Sequence, residues 1–382
     1  MPSKSHNLNK LNRFIGNPED LLPTPAFRIG VNISLLNLGP SGSARRERCL
    51  VSSDLASVLG LLEGMQIRVT GSDGSAAVFT VGGTFSVLHL PIAPYFGIRI
   101  YSNTSGSTTT DGGVYRLCGL AGGSAALPFT TCTVRNVPVS ESTTDGVVTS
   151  FYTESASGSF TEHVTRADDQ ELVALFPHGG NIDMHTSDQV AAFVSQLSAE
   201  GAAATLWECR GAWSGGGAFQ RWHITADDID LHSFRGLFMA QYRPYGVSFP
   251  GSQICVPFGH AVAFHGFSAA SSILCAVVIG GRAALAHKQT VQTRVQEAIA
   301  AAAPSTLVYY HVADVGVIPP TSWHGIDLTD KTGTSPDNLV NRICTAGGIQ
   351  IEQSQAIRNS SILRTAVAQG VATAMAEILA NP

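Results

Sequence analysis

The apolar run Leu172–Phe176 stops at Pro177-His178-Gly179-Gly180-Asn181-Ile182-Asp183, and a second run, Ala261–Phe264, stops at His265-Gly266. Histidine and carboxylate are ligand types of catalytic zinc, which takes three protein ligands and keeps a fourth position open. Two glycines after His178 free the backbone for a tight loop, so that His178 and Asp183 can converge on one point. A third run, Gly347-Gly348-Ile349-Gln350-Ile351-Glu352, ends in a carboxylate. A one-zinc hydrolase needs such a group apart from its ligands, to take a proton from the attacking water. Glu208, at the end of Thr205–Glu208, and His223, in Trp222-His223-Ile224-Thr225, read as residues that orient ligands without binding metal. Arg342 and Arg358 flank the Glu352 segment. Their planar forks suit a substrate carboxylate or a tetrahedral oxyanion.

Other chemistries find less support. There is no Gly-x-Ser-x-Gly elbow, and Gly215-Gly216-Gly217 lacks the lysine and helix context of a phosphate loop. Cys209 sits beside Glu208 with no obvious base, which argues against a thiol nucleophile. His6, His89, His163 and His287 read as surface or packing residues.

Elements that position these groups follow from the pattern. Leu172–Phe176 is a continuous apolar run, Thr205–Glu208, Ala261–His265 and Leu274–Ile279 read as buried strands, and Thr306–His311 and Ile349–Glu352 as further strands. Helical spacing begins after Asp188 (QVAAFVSQL), runs strongly over Ala286–Ala302, and returns as an amphipathic closing helix at Ile362–Leu379. Strands alternating with helices predict an α/β domain over residues 141–382, with a mostly parallel or mixed sheet flanked by helices. Before it, residues 26–140 read as a small β-rich, barrel-like domain with a capped helical turn at Ser53–Gly60 that ends on glycine, and residues 1–25 as a polar arm. Its clearest hairpin is Met65–Thr70 against Ala76–Val81, turning at Gly71-Ser72-Asp73-Gly74, because Asp-Gly suits a tight turn. The arrangement suggests a barrel of the double-psi type. The Ser/Thr-rich passage Pro138–Ser159 marks the boundary.

Length and composition bound the rest. The chain has 382 residues, about right for two domains, and 44% are hydrophobic, enough for sizeable cores. Only 13% are charged and the net charge is −5, so a nucleic-acid footprint is not expected. Residues 1–143 hold 11 Lys/Arg against 8 Asp/Glu, and residues 144–382 hold 12 against 20. Seven cysteines form no Cys-x-x-Cys pair and read as buried reduced thiols. The N-terminus lacks the apolar run of a signal peptide, and the apolar stretch at Ile273–Gly280 is too short to span a bilayer. A soluble protein made in the cytoplasm, with no membrane partner, is the expectation.

The segment LFPHGGNIDMHTSDQVAAFV, then LWECRG with WHITADDID, then AVAFHGF, then NRICTAGGIQIEQSQAIR, resembles the phage-type poly-γ-glutamate hydrolase family in four ordered segments over about residues 145–382. The resemblance implies a zinc carboxypeptidase-like fold, one Zn2+ per chain, and cleavage of γ-glutamyl amide bonds in a peptide or polyglutamate-like polymer. It implies His178 as first ligand, Asp183 as the carboxylate ligand, His265 as third ligand and Glu352 as general base. The family usually carries Glu where this chain has Asp183, one methylene shorter, so His185 stands as an alternative ligand. Two other readings stay open: a different zinc peptidase or amidase acting on cell-wall peptides, and an inactive virion or attachment protein. A phage-encoded enzyme would be released by lysis. The β-rich domain lies outside the resemblance, and its ligand or partner is unassigned.

Overall fold

The computed structural model describes residues 29–37, 48–86, 95–102, 131–136, 147–148, 160–167, 171–212, 218–219, 223, 225–227, 229, 242–244, 253–255 and 257–381, except 64, 73, 75 and 270–272. The arm over residues 1–25, the Gly-rich stretches 103–128 and 215–217, and most of the boundary passage 138–159 lie outside the described residues.

The strands β1 (Ile29–Asn37), β2 (Arg48–Ser52), β3 (Gln66–Gly71), β4 (Ala76–Phe85), β5 (Gly97–Ser102) and β6 (Thr131–Asn136) close into a barrel in the order β1-β5-β2-β4-β3-β6. Two of its pairs are parallel, β1 with β5 and β2 with β4. β3 and β4 form an antiparallel hairpin with Thr70 opposite Ala76. Period-two alternation places Ile67 and Val69 of β3, and Ile98 and Ile100 of β5, in the barrel core. Helix α1 (Ser53–Leu59) is capped by the Ser52 hydroxyl, which accepts from the Leu55 amide, and stops at Gly60 with φ 63°.

The site belongs to the second sheet. Its strands are β7 (Val147–Val148), β8 (Phe160–Thr165), β9 (Leu172–Gly180), β10 (Thr205–Gly211), β13 (His260–Phe267), β14 (Ala276–Gly281), β15 (Tyr309–Val312) and β16 (Gly348–Ser354); β11 (Tyr242–Pro244) and β12 (Gln253–Cys255) pair apart from it. The order is β15-β14-β16-β13-β9-β10-β8-β7. The centre, β16-β13-β9-β10, is parallel, whereas β14 runs antiparallel to β16 and β8 antiparallel to β10. The sheet is therefore mixed, within a mixed α/β fold.

Both faces are buried, which is why the strands read as continuous apolar runs rather than alternations. Leu172, Ala174 and Phe176 of β9 face one core, shared with helices α2 (Val190–Ala199), α3 (Leu285–Ala302) and α6 (Ser361–Ala380). Val173 and Leu175 face the other, with Trp207, Phe258 and Ile343. Two short helices, α4 (Leu339–Arg342) and α5 (Gln355–Asn359), flank β16.

Two expectations change. The first strand does not stop at Phe176: β9 continues through His178 to Gly180, because Arg210 and Gly211 of β10 pair with Gly179 and Gly180. The closing helix is not simply amphipathic. α6 buries ten residues, Leu363 to Ile378, and lies wedged against α2 and α3. It is also long and apolar enough to cross a membrane, but it serves here as a core helix.

Candidate metal centre and its pocket

Adjacent parallel strands end side by side, so their C-terminal residues form one rim. β9 brings His178 to it, β13 brings His265, and register places His265 directly beside Glu352 of β16. Asp183 arrives from the loop after β9. That loop is tightly wound: the Asp183 amide donates to the His178 carbonyl at 2.8 Å, and the Thr186 hydroxyl donates to the His178 and Asp183 carbonyls at 3.1 and 2.9 Å. Gly180 opens it with φ 68°, and a Cβ there would lie 2.5 Å from the Gly211 carbonyl oxygen, so glycine is required twice over.

The three side chains meet. One ligand atom from each of His178, Asp183 and His265 lies within 4.8 Å of the others, and all three residues are buried. Nδ1 of His178 is 3.0 Å from Oδ2 of Asp183 and 3.2 Å from Nδ1 of His265. The Gly266 amide donates to the same Asp183 oxygen at 3.2 Å and fixes its direction. The donor set fits zinc. Ligands about 2.0–2.1 Å from a tetrahedral metal are separated by about 3.3 Å, close to the spacings found, and two nitrogens and a carboxylate leave a fourth position open. Two neutral imidazoles facing each other through Nδ1 can share only one N–H between them, whereas a cation accepts a lone pair from both.

Charge follows from the geometry. Burial works against ionisation of Asp183, but the hydrogen bond from His178 and the imidazoles around it hold its pKa below the usual carboxylate range. Burial, then the neighbouring His178, pushes His265 down to about 3, so its ring is neutral and its lone pair available. Burial, then the Asp183 charge, pushes Glu352 up to about 8. A carboxyl poised near neutrality suits a group that must accept and return a proton.

The pocket around these groups holds about 890 Å³. His223 stands in its wall, stacked on Phe219 (centroids 4.2 Å apart) and tilted by 39° against His178 (4.3 Å). That ring ladder restrains the plane of His178. Glu352 is held by Gln350, whose amide donates to Oε1 at 2.9 Å, and Gln350 in turn accepts from Asn338 at 2.9 Å.

Four residues singled out from the sequence behave differently. Glu208 does not orient a ligand: both its oxygens are taken by Arg210, at 2.7 and 2.9 Å, outside the pocket. His185, with φ 72°, turns its Nδ1 to Asp188 at 2.9 Å and stays out of the cluster. Arg342 lies outside the pocket and donates to the Ile229 carbonyl at 2.5 Å. Arg358 reaches the pocket wall, but it is 5% exposed and its nitrogens donate to the carbonyls of Met184, Gln353 and Phe267. Sequence reasoning missed Gln350, although a residue two positions from Glu352 on a strand must share its face. It also missed Phe219 and Lys331, which lie in segments without periodicity.

No protein-family model and no curated protein matches the chain. Among solved structures it is similar to a bacteriophage poly-γ-glutamate hydrolase, at 18% identity over 59% of this chain and 91% of that one, with a TM-score of 0.41. It is similar to zinc-free YndL at 20% identity, covering 58% and 90%, with a TM-score of 0.36. The catalytic domain of CwlV, an N-acetylmuramoyl-L-alanine amidase from Bacillus (Paenibacillus) polymyxa var. colistinus, is similar at 10% identity, covering 56% and 99%, with a TM-score of 0.31. Such likenesses carry no argument about activity, which has to come from the site.

Proposed function

We propose that this chain is a zinc-dependent amidohydrolase acting on γ-glutamyl, poly-γ-glutamate-type amide bonds. The observation that carries the reading is the buried convergence of His178, Asp183 and His265 in one pocket with a carboxyl, Glu352, that is free of that cluster. His178 Nδ1, His265 Nδ1 and Asp183 Oδ2 would hold one Zn2+. When bound, the metal supplies a Lewis acid that polarises an amide carbonyl and acidifies water.

The chain's own residues do the rest. Glu352 Oε1 is occupied by the Gln350 amide, which leaves Oε2 as the oxygen that takes the proton of the attacking water. The same oxygen returns that proton to the leaving nitrogen as the C–N bond breaks, so the carboxylate is regenerated. His223 and Phe219 keep the His178 ring in plane, and Gly266 N–H keeps Asp183 aimed at the cluster. The loop Thr329–Ser335 also lines the pocket.

The test is hydrolysis of a γ-linked glutamate oligomer by zinc-loaded protein, followed by release of free amine. Cleavage by the parent chain and its loss in Glu352→Gln support the reading. Cleavage of N-acetylmuramoyl-L-alanine amides with the γ-linked oligomer untouched would transfer the site to cell-wall peptides.

A further inference from the structure

A polyanionic substrate needs a cation in the pocket, and the two arginines the sequence offers are spent on the fold. Arg342 lies outside the pocket. Arg358 braces three backbone carbonyls and packs so closely on Gly266 that a Cβ there would lie 2.3 Å from its Nε. Among the described residues, the other cation in the pocket wall is Lys331.

Its backbone is fixed on both sides. The Lys331 amide donates to the Leu328 carbonyl at 3.1 Å, Leu328 is fully buried, and the Thr332 carbonyl accepts from Gly281 at 2.7 Å. Its ammonium pairs with Asp330 at 2.5 Å, yet the Asp330 side chain is 77% exposed against 17% for Lys331. An ion pair with so exposed a partner is weakly held and can be exchanged for a ligand carboxylate. Lys331 and Glu352 line the same pocket.

We propose that Lys331 is the specificity-determining residue that receives the carboxylate beside the scissile amide. In a γ-linked glutamate, the α-carboxylate is attached to the carbon that bears the scissile nitrogen. A group held by Lys331 thus brings that nitrogen next to Glu352, which hands it the proton. The proposal rests on the amidase reading of the site and adds its selectivity: acidic amides are taken, and their uncharged carboxamide analogues are not.

The experiment measures binding rather than turnover. Zinc-loaded Glu352→Gln protein is titrated calorimetrically with γ-linked triglutamate and with the same peptide carrying α-carboxamides, alone and combined with Lys331→Met or Lys331→Arg. The acid peptide binds at least tenfold more weakly after Lys331→Met, most of the loss is recovered in Lys331→Arg, and the carboxamide peptide does not distinguish the variants. Equal affinity of acid peptide for the parent and Lys331→Met backgrounds, or no measurable binding of acid peptide to the parent background, overturns the proposal. Failure of the wild-type chain to hydrolyse the acid peptide defeats the amidase reading instead and leaves the binding contrast to judge Lys331.

Discussion

At the scale of single residues, the site separates holding a metal from moving a proton. His178→Ala or His265→Ala removes one of three donors, so zinc and activity should disappear together, as read by metal content and amide hydrolysis. Glu352→Gln should keep zinc yet lose turnover by about 10²–10⁴-fold, the range for removal of a general base. The metal-free protein offers a second check through pH. Glu352 is raised in the native state, from 4.5 to about 8, so its contribution to stability is complete below about 4.5 and is lost as pH rises through about 8. His265 works oppositely, its contribution being present above 6.5 and lost as pH falls towards about 3. Between pH 6.5 and 8 only the Glu352 trend remains. The thermal midpoint of metal-free protein should fall across that window, and Glu352→Gln should flatten the fall. His178, Asp183, His265 and Glu352 are readable in the sequence because each follows an apolar run, where a parallel sheet gathers its functional groups. The fate of Glu208 is not, since its partner is a matter of side-chain direction beside an irregularity in β10 between Glu208 and Arg210.

At the scale of elements, the metal cluster depends on how the loop after β9 is tied to its neighbours. Gly180→Ala places a side chain at φ 68° and within 2.5 Å of the Gly211 oxygen. Backbone strain of this kind costs about 1–3 kcal/mol. The variant should lower both the thermal midpoint and zinc affinity, measured on the same sample. A second tie lies deeper. Gln189, just before α2, and Gln353 of β16 exchange amide hydrogen bonds at 2.9 and 2.8 Å, both fully buried. Gln189→Leu leaves the Gln353 amide unsatisfied, and a buried unpaired polar group costs about 1–3 kcal/mol; denaturant unfolding should show a loss of that size. Strands and helices of the sheet are legible from periodicity. The continuation of β9 past Pro177 is not, because it depends on pairing with β10, which local sequence does not contain. Arg342 likewise reaches Ile229, 113 positions away in the chain, a contact no local pattern encodes.

At the scale of the whole molecule, residues 144–382 carry 12 Lys/Arg against 20 Asp/Glu, an excess of negative charge over the half that holds the pocket. Long-range attraction therefore does not bring an acidic polymer to this site. Beyond about 8–10 Å, however, surface charges are screened at cellular salt, so local cations decide binding. Because the cluster joins β9, β13 and the intervening loop, occupancy stabilises the sheet as a unit: a ligand at 100 times its Kd adds about 2.7 kcal/mol. The most direct measurement is zinc content by elemental analysis of the full chain purified without chelator or a histidine tag, beside His178→Ala. One zinc per chain in the parent, absent from His178→Ala, is the result the site predicts. No zinc in the parent, and none taken up on titration, would contradict it and remove the metal from the chemistry of this pocket.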